Sequence, residues 1–445
     1  MHQQCIGNQK NLKIVLIGYG SIGQALTPML RRHFPQLASI RAFAADDRGL
    51  AVAQQYGVLF TLLPITIHNF ARILAQDLAT GDLLLNVSVN VSSLALIAWC
   101  QENGVMYLDT CLEPWEGGYA DGELTNYALR QQAIRLREKG RATALVANGA
   151  NPGLITHFVK KGLEELASIQ GIAFGGNYAT LARDLGISTV QIAECDTQDD
   201  GNRLPRNTFV NTWSVDGFIA ELCHQPVELG WGSHEGSRSD VLNFEGPGSA
   251  VMPGRTGLDT RVRSWVPSAG EQAAHLVTHH EAHSIAEMLT VREEGARTYC
   301  PTVFYAYRPC PKAMTMIDRL RSKAEHVREV EKTVMQHPVT GQDELGALLI
   351  HNTGAHWYGS TLTAQQANAL APCNNATSMQ VVATIVASIK WMLLHPWEGV
   401  IEPEDVDHNF ILDEALPWLG HVRGIESGWR PAAAEQPQLQ DFLIP

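Results

Sequence analysis

The sequence is poor in positive charge: 33 Lys and Arg stand against 46 Asp and Glu, which gives a formal net charge of −13. Binding to nucleic-acid phosphates requires clustered Lys and Arg, so this balance speaks against a nucleic-acid partner. Small cationic ligands fit an acidic chain better. Many cytosolic enzymes are equally acidic for solubility, so the charge permits such a ligand without indicating it.

Paired cysteines and membrane-spanning runs are also missing. The eight cysteines contain no C-x-x-C pair, which favours reduced thiols and an intracellular protein. The N-terminal residues are polar and lack the apolar stretch of a secretory leader. The most apolar late run, VVATIVASIKWMLL, is interrupted by Lys390 and is too short to cross a bilayer. We therefore expect a cytoplasmic protein without a membrane partner.

The first third of the chain alternates strand-like and helix-like patterns. A continuous apolar run covers Lys13 to Ile17, and further runs are SIRAFAAD, GVLF, DLLLNVSV, GVMYLDT and ATALVANGANPG. Alternation of this kind predicts an α/β fold with a Rossmann-type, doubly wound parallel sheet.

The length of 445 residues favours two domains. We place the Rossmann-type domain at 1–150, with a returning capped helix near 374–395 that ends before Pro396. Residues 151–373 form the expected second domain, and 396–445 form a C-terminal segment.

Three glycines complete a G-x-G-x-x-G motif between the first strand and a helical pattern: Gly18, Gly20 and Gly23. Glycines here let the backbone approach a pyrophosphate that faces the helix N-terminus, and Ser21 and Ile22 lie within the same turn. Without a ligand, the motif could serve only tight helix–strand packing. The strand before it, the helix after it and an acid at the end of the next strand together indicate a dinucleotide site.

The cofactor is expected to be NAD, because the carboxylate of Asp46 would bind the ribose hydroxyls and repel a 2′-phosphate. Asp47 is the adjacent alternative, and Arg48 could accommodate a 2′-phosphate. Further expected contacts stand at the carboxyl ends of later strands, where each could equally cap a helix: Asn86, Ser88 and Thr110.

Downstream motifs carry a family resemblance. The strings DTCLEPWEGGY, NGANPGLITHFVK, IAECDTQ, NTWSVDGFIAELC, ELGWGSHE, DTRVRSW, LVTHHEAHSIA, DELGALL, HWYGS and NNATSMQV resemble the bacterial homospermidine synthases. These enzymes are a branch of the saccharopine-dehydrogenase-like group. The resemblance runs in order from about Ile14 to about Gly420 and is more specific than the glycine motif.

The resemblance implies an NAD-dependent aminobutyl transfer. Two putrescines combine to sym-homospermidine with release of ammonia, and spermidine can be the donor, which releases diaminopropane. The cofactor is recycled, since the hydride taken from a putrescine carbon reduces the later imine. The resemblance also implies a Rossmann domain, an α/β substrate and dimerisation domain, and a homodimer.

The same resemblance implies the residues of the substrate site. The expected catalytic residues are Glu194, Trp213, Asn151 and His279, with Asn151 also near the cofactor. The expected substrate-binding residues are Glu113, Glu221 and Asp343. Carboxylates suit the ammonium ends of a diamine, a base must deprotonate the reacting amine, and an indole face can stabilise a cationic imine.

Three of these residues also have an interpretation without function. Glu221 could be a surface acid, Trp213 could be core, and Asp343 with Glu344 could begin a helix. The sequence leaves open which of His279 and His280 faces substrate.

A metal is not expected, although His279 and His283 share a helical face, because H-H-E-A-H is not the H-E-x-x-H pattern. An enzyme-bound imine on a Lys is disfavoured too, since the lysines lie mostly in polar surroundings.

Two other functions compete. An opine or saccharopine-type dehydrogenase would need an arginine fork for a keto-acid carboxylate, for which Arg255, Arg261 and Arg263 are available. A non-catalytic polyamine sensor would keep NAD as a structural ligand.

Overall fold

The computed structural model describes residues 12–118, 124–243, 248–322, 330–335, 338–432 and 434–445. Their contacts separate two compact units. Unit 1 is drawn from Met1–Leu124, Ala128–Leu154 and Ala367–Trp418, and unit 2 from Thr125–Tyr127, Ile155–Gln366 and Leu419–Pro445. The last stretch of the chain is therefore shared, because residues up to Trp418 group with unit 1 and those from Leu419 with unit 2.

The first part of the chain alternates strands and helices, in this order: β1 Lys13–Ile17, α1 Ser21–His33, β2 Ser39–Ala44, α2 Leu50–Gln55, β3 Leu59–Leu62, α3 Phe70–Asp77, β4 Leu83–Asn86, α4 Ser93–Asn103, β5 Met106–Asp109, α5 Asn126–Ile134 and β6 Ala144–Leu145.

The middle part is longer and richer in strands: α6 Leu154–Gln170, α7 Tyr178–Asp184, β7 Thr189–Asp196, β8 Thr208–Asn211, α8 Val215–Ile219, β9 Val227–Gly230, β10 Leu242–Asn243, β11 Ser249–Met252, β12 Arg261–Val266, β13 Gly270–Val277, α9 Glu281–Met288, β14 Val291–Glu293, β15 Ala296–Tyr299, β16 Thr302–Arg308, α10 Pro311–Arg321, β17 Glu331–Val334, β18 Gln342–His351, β19 Gly354–Thr363 and α11 Ala364–Leu370. A π-helical turn, Ala220–His224, follows α8.

The last part contains α12 Ala376–Leu394, β20 Val400–Ile401, α13 His408–Ala415, β21 His421–Ser427, α14 Leu439–Phe442 and β22 Leu443–Ile444. Two short 3₁₀ turns flank α13, at Pro403–Asp405 and Leu416–Trp418.

Unit 1 is built on a parallel sheet whose strand order, over the described residues, is β20-β6-β5-β4-β1-β2-β3. From β3 to β6 this is the 3-2-1-4-5-6 order of a Rossmann fold, which confirms the predicted fold class. The order places β1 and β4 side by side, so the loops that follow them lie next to each other at the carboxyl edge of the sheet. Ligands bind at this edge in open α/β sheets.

Helix α12 is the returning helix expected from the sequence. The side chain of Asn375 accepts from the backbone N–H of Ser378, and the Ser378 hydroxyl bonds back to Asn375, which is a capping box. The helix is long and apolar enough to cross a membrane, but 78% of its apolar window is buried within the protein. It packs on α1 and α13, as a core helix does.

Unit 2 is built on a mixed sheet with the path β10-β11-β9-β16-β7-β18-β19-β21 in the described chain, to which β12, β13 and β22 attach. Strand β7 lies in the middle, parallel to β16 and antiparallel to β18. Its alternate side chains point to opposite faces. Ala193 and Cys195 belong to a hydrophobic core with Phe304 and Leu348.

The opposite face of this sheet is called the acidic face here. It is defined by Glu194 and Asp196 of β7, by Tyr305 and Tyr307 of β16, and by Asp343 of β18. Tyr307 stands opposite Glu194 in the parallel pair, and Asp343 stands opposite Asp196 in the antiparallel pair. Every member of the acidic face is buried. Because β7 and β16 are parallel, their polar residues lie side by side near the carboxyl ends of the two strands.

Candidate active site

The glycines after β1 form the turn that the sequence predicts, each for a different reason. Gly18 has a φ of +89°, and a Cβ there would lie 2.8 Å from the carbonyl oxygen of Val87. A Cβ on Gly23 would lie 2.8 Å from the carbonyl oxygen of Gly18. A Cβ on Gly20 would meet no protein atom within 4 Å. The open space beside Gly20, at the start of α1, fits the close approach of a pyrophosphate.

Asp46 lies just beyond β2 and is half exposed. Its Oδ1 accepts from the backbone N–H of Arg48 at 3.0 Å, and its Oδ2 accepts from the Arg48 guanidinium at 2.9 and 2.5 Å. These bonds to Arg48 lower the pKa of Asp46, which keeps it ionised. An exposed ion pair of this kind is weak, so the carboxylate remains available to ribose hydroxyls.

Asn86 and Ser88, at the end of β4, contact each other. The Ser88 hydroxyl donates to Oδ1 of Asn86 at 2.6 Å, and Nδ2 of Asn86 donates to the carbonyl of Val91 at 3.3 Å. Asn86 is buried, and both of these hydrogen bonds join it to the loop after β4. They therefore hold the loop that carries Ser88 in place. Ser88 also lies against Gly18.

Asp109, the last residue of β5, is a buried acid that the sequence analysis did not single out. Its carboxylate accepts from the Tyr107 hydroxyl at 2.8 Å and from the backbone N–H of Ala147 at 2.6 Å. Burial raises the pKa of Asp109 to about 7. Asp109 thus connects the end of β5 to the loop after β6.

Glu113 and Asn151, which were predicted for the substrate site, lie in unit 1. Glu113 accepts from the backbone N–H of Asn90 at 3.2 Å, and its own N–H donates to Ser93 at 3.0 Å. Asn151 is half-buried in the loop before α6. Thr110 follows β5, and a Cβ on Gly149 of the same loop would lie 3.5 Å from its side chain.

Glu194 is the central acid of unit 2. Its side chain is 2% exposed, and its Oε2 accepts a 2.6 Å hydrogen bond from the hydroxyl of Tyr305. Tyr305 stacks on Tyr307 with ring centroids 5.4 Å apart and an interplanar angle of 16°. The two tyrosines line the acidic face beside Glu194.

Trp213 follows β8 and is half-buried rather than part of the fully buried core. Its indole N–H donates to the Tyr307 hydroxyl at 3.4 Å. Its ring also packs on Phe218, 5.7 Å away between centroids. The structure therefore connects Trp213 to the acidic face through Tyr307.

His279 is buried between two carboxylates. Its Nδ1 lies 3.0 Å from Glu281 and its Nε2 lies 3.2 Å from Glu221, which belongs to the π-helical turn. Burial favours the neutral imidazole, but Glu281 and Glu221 outweigh it and raise the pKa of His279 well above its ordinary value. The imidazolium ring lies 4.7 Å from the ring of Tyr305.

The two histidines after β13 differ in position. His279 joins the acidic face through Tyr305, whereas His280 is the N-cap residue that directly precedes α9. His283 bonds elsewhere, to Glu228 at 3.0 Å and to Ser249 at 3.0 Å. Within the described ranges, no three His, Cys, Asp or Glu residues form a group that could hold a metal ion.

Asp343 lies in β18, so the alternative that Asp343 and Glu344 begin a helix is wrong. Both residues are extended because they pair with β7 on one side and with β19 on the other. Burial, and then the charges of Glu194, Asp196 and Asp343, raise the pKa of Tyr307 well above its ordinary value. The negative charges of the three acids therefore all disfavour ionisation of the same phenol, that of Tyr307.

Sequence reasoning missed several polar members of this cluster: Asp196, Thr212, Glu281, Tyr305 and Tyr307. Asp196 accepts from the Thr212 hydroxyl at 2.6 Å, and burial raises its pKa to about 6. The alternation in TVFYAYR and AECD, which puts two tyrosines on one face and two acids on one face, could have indicated them.

Comparisons with known proteins agree with this architecture. The family model for the saccharopine dehydrogenase NADP binding domain matches residues 14–147, and the model for the saccharopine dehydrogenase C-terminal domain matches 149–425. A homospermidine synthase from Mesorhizobium japonicum is 38% identical over 441 residues, covering 94% of this chain and 91% of that protein. One from Blastochloris viridis is 38% identical over 440 residues, covering 94% and 92%.

Solved structures of the same two kinds of enzyme resemble this chain. The homospermidine synthase from Legionella pneumophila, solved with NAD, superposes with a TM-score of 0.91 at 38% identity and covers 98% of both chains. A saccharopine dehydrogenase (L-Glu forming) from Saccharomyces cerevisiae has a TM-score of 0.52 at 10% identity, covering 93% of this chain and 99% of its own. The second likeness concerns the fold alone.

Proposed function

Because the chain belongs to the homospermidine synthases, within the saccharopine dehydrogenase group, we propose that it transfers an aminobutyl group between polyamines with NAD as cofactor. Two putrescines give sym-homospermidine and ammonia. Spermidine as donor gives homospermidine and diaminopropane. The observation that carries the proposal is the acidic face of unit 2, with its phenols, together with His279 and its two carboxylates.

The charge of these groups suits a polyamine. Glu194, Asp196 and Asp343 share the acidic face, and the imidazolium of His279 is already matched by Glu221 and Glu281. Buried carboxylates are costly unless cations or hydrogen bonds compensate them. Ammonium groups of a diamine supply such compensation, so ionic binding and burial favour the same ligand.

Unit 1 fits the dinucleotide. Gly20 leaves the N-terminus of α1 open to a pyrophosphate, and Asp46 would bind the ribose hydroxyls. The Asp46 carboxylate favours NAD over NADP, although the matching family model is described as NADP-binding. The Legionella relative was solved with NAD, which supports the same choice. When bound, NAD would accept a hydride from an amine-bearing carbon and return it to an imine.

The side chains of the protein would handle protons and positive charge. The Glu194 carboxylate would take the proton of the reacting amine, and the Trp213 ring would stabilise the cationic imine. Asp343, Glu221 and Glu113 would hold ammonium groups, and Asn151 would bind close to the reacting carbon. His279, charged between its two carboxylates, would keep Tyr305 and its neighbours in place.

Reduction of an imine formed from an amine and a keto acid, the reaction of an opine or saccharopine-type dehydrogenase, has less support. The arginine fork that such a substrate needs is engaged elsewhere: Arg255 pairs with Asp240 at 3.6 Å, and Arg263 with Glu271 at 3.7 Å. Arg261 donates to the carbonyl of Pro445 at 3.2 Å. These contacts are partly exposed, and none involves the acidic face.

The proposal is tested by incubating the purified protein with putrescine and NAD, followed by mass spectrometry for homospermidine and an assay for ammonia. We expect both products in equal amounts, with NAD needed only catalytically and no lasting rise in NADH absorbance. Accumulation of NADH in proportion to product would contradict the redox-neutral cycle. NAD and putrescine binding without product would indicate a sensor instead.

We further propose that the enzyme is a cytoplasmic homodimer, with unit 2 forming the dimer interface as in the family to which it belongs. Light scattering after size exclusion, at several protein concentrations, tests the oligomeric state. A monomer throughout the range would contradict the proposal.

A further inference from the structure

Two tyrosines of β16 connect the residues that sequence reasoning assigned to the substrate site of unit 2. Tyr305 bonds to Glu194 and packs against the His279 ring at a tilt of 40°, and Tyr307 stacks on Tyr305 and accepts from Trp213. Neither tyrosine belongs to the predicted site. They lie on β16, the strand that pairs directly with the strand of Glu194, although more than a hundred residues separate them from Glu194 in the sequence.

We propose that Tyr305 is a positioning residue, whose hydroxyl fixes the orientation of the Glu194 carboxylate and keeps it ionised for accepting the amine proton. The inference rests on the proposed function, because it assigns Glu194 the role of base. It goes beyond that function by adding a residue that acts through Glu194.

The geometry supports orientation. A flexible glutamate has three side-chain torsions, and the bond from Tyr305, at 2.6 Å, has the length of a charge-assisted O–H···O hydrogen bond. The phenol itself is rigidly held, because its ring is buried between the His279 imidazole at 4.7 Å and the Tyr307 ring at 5.4 Å. A fixed donor therefore selects one arrangement of the carboxylate.

The chemistry supports ionisation. Burial alone favours the neutral form of a carboxyl group, whereas a donated hydrogen bond favours the carboxylate. The Tyr305 hydroxyl can only donate to an ionised carboxylate, so its hydrogen bond stabilises the charged form of Glu194. Because the phenol is neutral, this stabilisation adds no positive charge beside the base. A Lys or Arg in the same place would compete with the substrate ammonium.

The test is the pH dependence of kcat/KM for homospermidine formation in wild type and in Tyr305→Phe. Loss of the hydroxyl should lower kcat/KM about 10-fold or more and move the acidic limb to higher pH by about one unit, as expected for loss of a hydrogen bond to a charged group. The shift goes upward because the carboxylate loses a donor that favoured its charged form.

Tyr299→Phe is the matched control. Tyr299 also lies in unit 2 and donates one hydrogen bond of 2.8 Å, but to the backbone carbonyl of Ile187. We expect its acidic limb to coincide with that of wild type. Equal losses of rate with unshifted profiles in both variants would reduce Tyr305 to a structural residue and overturn the proposal.

A second substitution covers the case in which Tyr305→Phe does not fold. Replacement of Tyr305 by 3-fluorotyrosine retains the size of the ring and makes the hydroxyl a stronger donor. The acidic limb should then move to lower pH, opposite to the Phe variant, and an unshifted or opposite movement would contradict the proposal. Wild-type protein that forms no homospermidine overturns the proposed function and this inference with it, whereas normal wild-type activity with unshifted variants overturns the inference alone.

Discussion

The guanidinium of Arg48 binds Oδ2 of Asp46 through two nitrogens, and the Arg48 backbone N–H binds Oδ1. The side chain of Arg48 is 72% exposed and that of Asp46 is 47% exposed. The acid that we propose favours NAD and the arginine that could accommodate a 2′-phosphate are thus in contact. Cofactor choice then depends on the balance between these two neighbouring residues.

We predict that Asp46→Ala weakens NAD binding by about 10-fold or more, because hydrogen bonds from the ribose to a charged acceptor are lost. Titration calorimetry measures the Kd, and the melting temperature should hardly change because the residue lies on the surface. Asp47→Ala is the control and should bind NAD normally. Unchanged affinity in Asp46→Ala together with a loss in Asp47→Ala would transfer the role to Asp47.

Glu194→Gln should lower kcat by at least about 100-fold, since the variant keeps the size of the side chain but cannot act as a base. Glu344→Gln is a matched control, because Glu344 is equally buried but projects from the side of β18 opposite the acidic face and bonds to Ser268 and Thr361. We expect the control to lose stability without a comparable loss of kcat. An active Glu194→Gln enzyme would remove Glu194 from the mechanism.

Substitutions of Trp213 should separate a ring interaction from packing. Trp213→Phe retains a weaker ring face and should keep part of the activity, whereas Trp213→Ala should lose most of it. Complete burial would make truncation to Ala cost about 3–5 kcal/mol, and half-burial should make it cost less. Melting temperatures recorded beside the rates decide the matter, because parallel losses in both quantities would mean that Trp213 only packs.

Asp109 should make stability depend on pH. Its folded pKa of about 7 lies above the ordinary value of 3.8, so between those values the folded protein holds a proton that the unfolded chain has lost. Its contribution is therefore present at acidic pH and is lost as pH rises towards 7. Relative to wild type, Asp109→Asn should gain about 2 kcal/mol in unfolding free energy from pH 5 to pH 8.

The quantity to compare is the difference in unfolding free energy between wild type and Asp109→Asn at each pH. Other groups also titrate, but they do so in both proteins. Burial lowers the pKa of His33 to about 4, which gives the opposite dependence at acidic pH, and this contribution cancels in the difference. The unfolding free energies are obtained from denaturation curves at pH 5, 6, 7 and 8. The same difference in unfolding free energy between wild type and Asp109→Asn at every pH would contradict the prediction.

Local patterns predicted much of unit 1. Strand β1 has the bounds of the apolar run Lys13–Ile17, and the cap of α12 is the Asn375 that begins the helical pattern. The run around β6 was predicted too long: only Ala144–Leu145 pair as a strand. Ala147 has a φ of +52°, and Asp109 binds its N–H, so the backbone turns away from the sheet there.

The site of unit 2 could not be built from local patterns. Glu194 was reached through a family resemblance, and its contact Tyr305 is separated from it by 111 residues. Such a pair is created by strand order and register, which periodicity does not contain. The position of His279 between Glu221 and Glu281 likewise depends on a π-helical turn that no sequence pattern indicated.

The alternation along β7 has a consequence for folding. Glu194 and Asp196 face one side, and Ala193 and Cys195 face the hydrophobic core on the other. A slip of β7 by a single residue would exchange these sets and drive two carboxylates into the apolar layer, at a cost of several kcal/mol each. Molecules with a misaligned β7 would thus be too unstable to accumulate, so the same alternation that assembles the acidic face also removes chains in which it is assembled incorrectly.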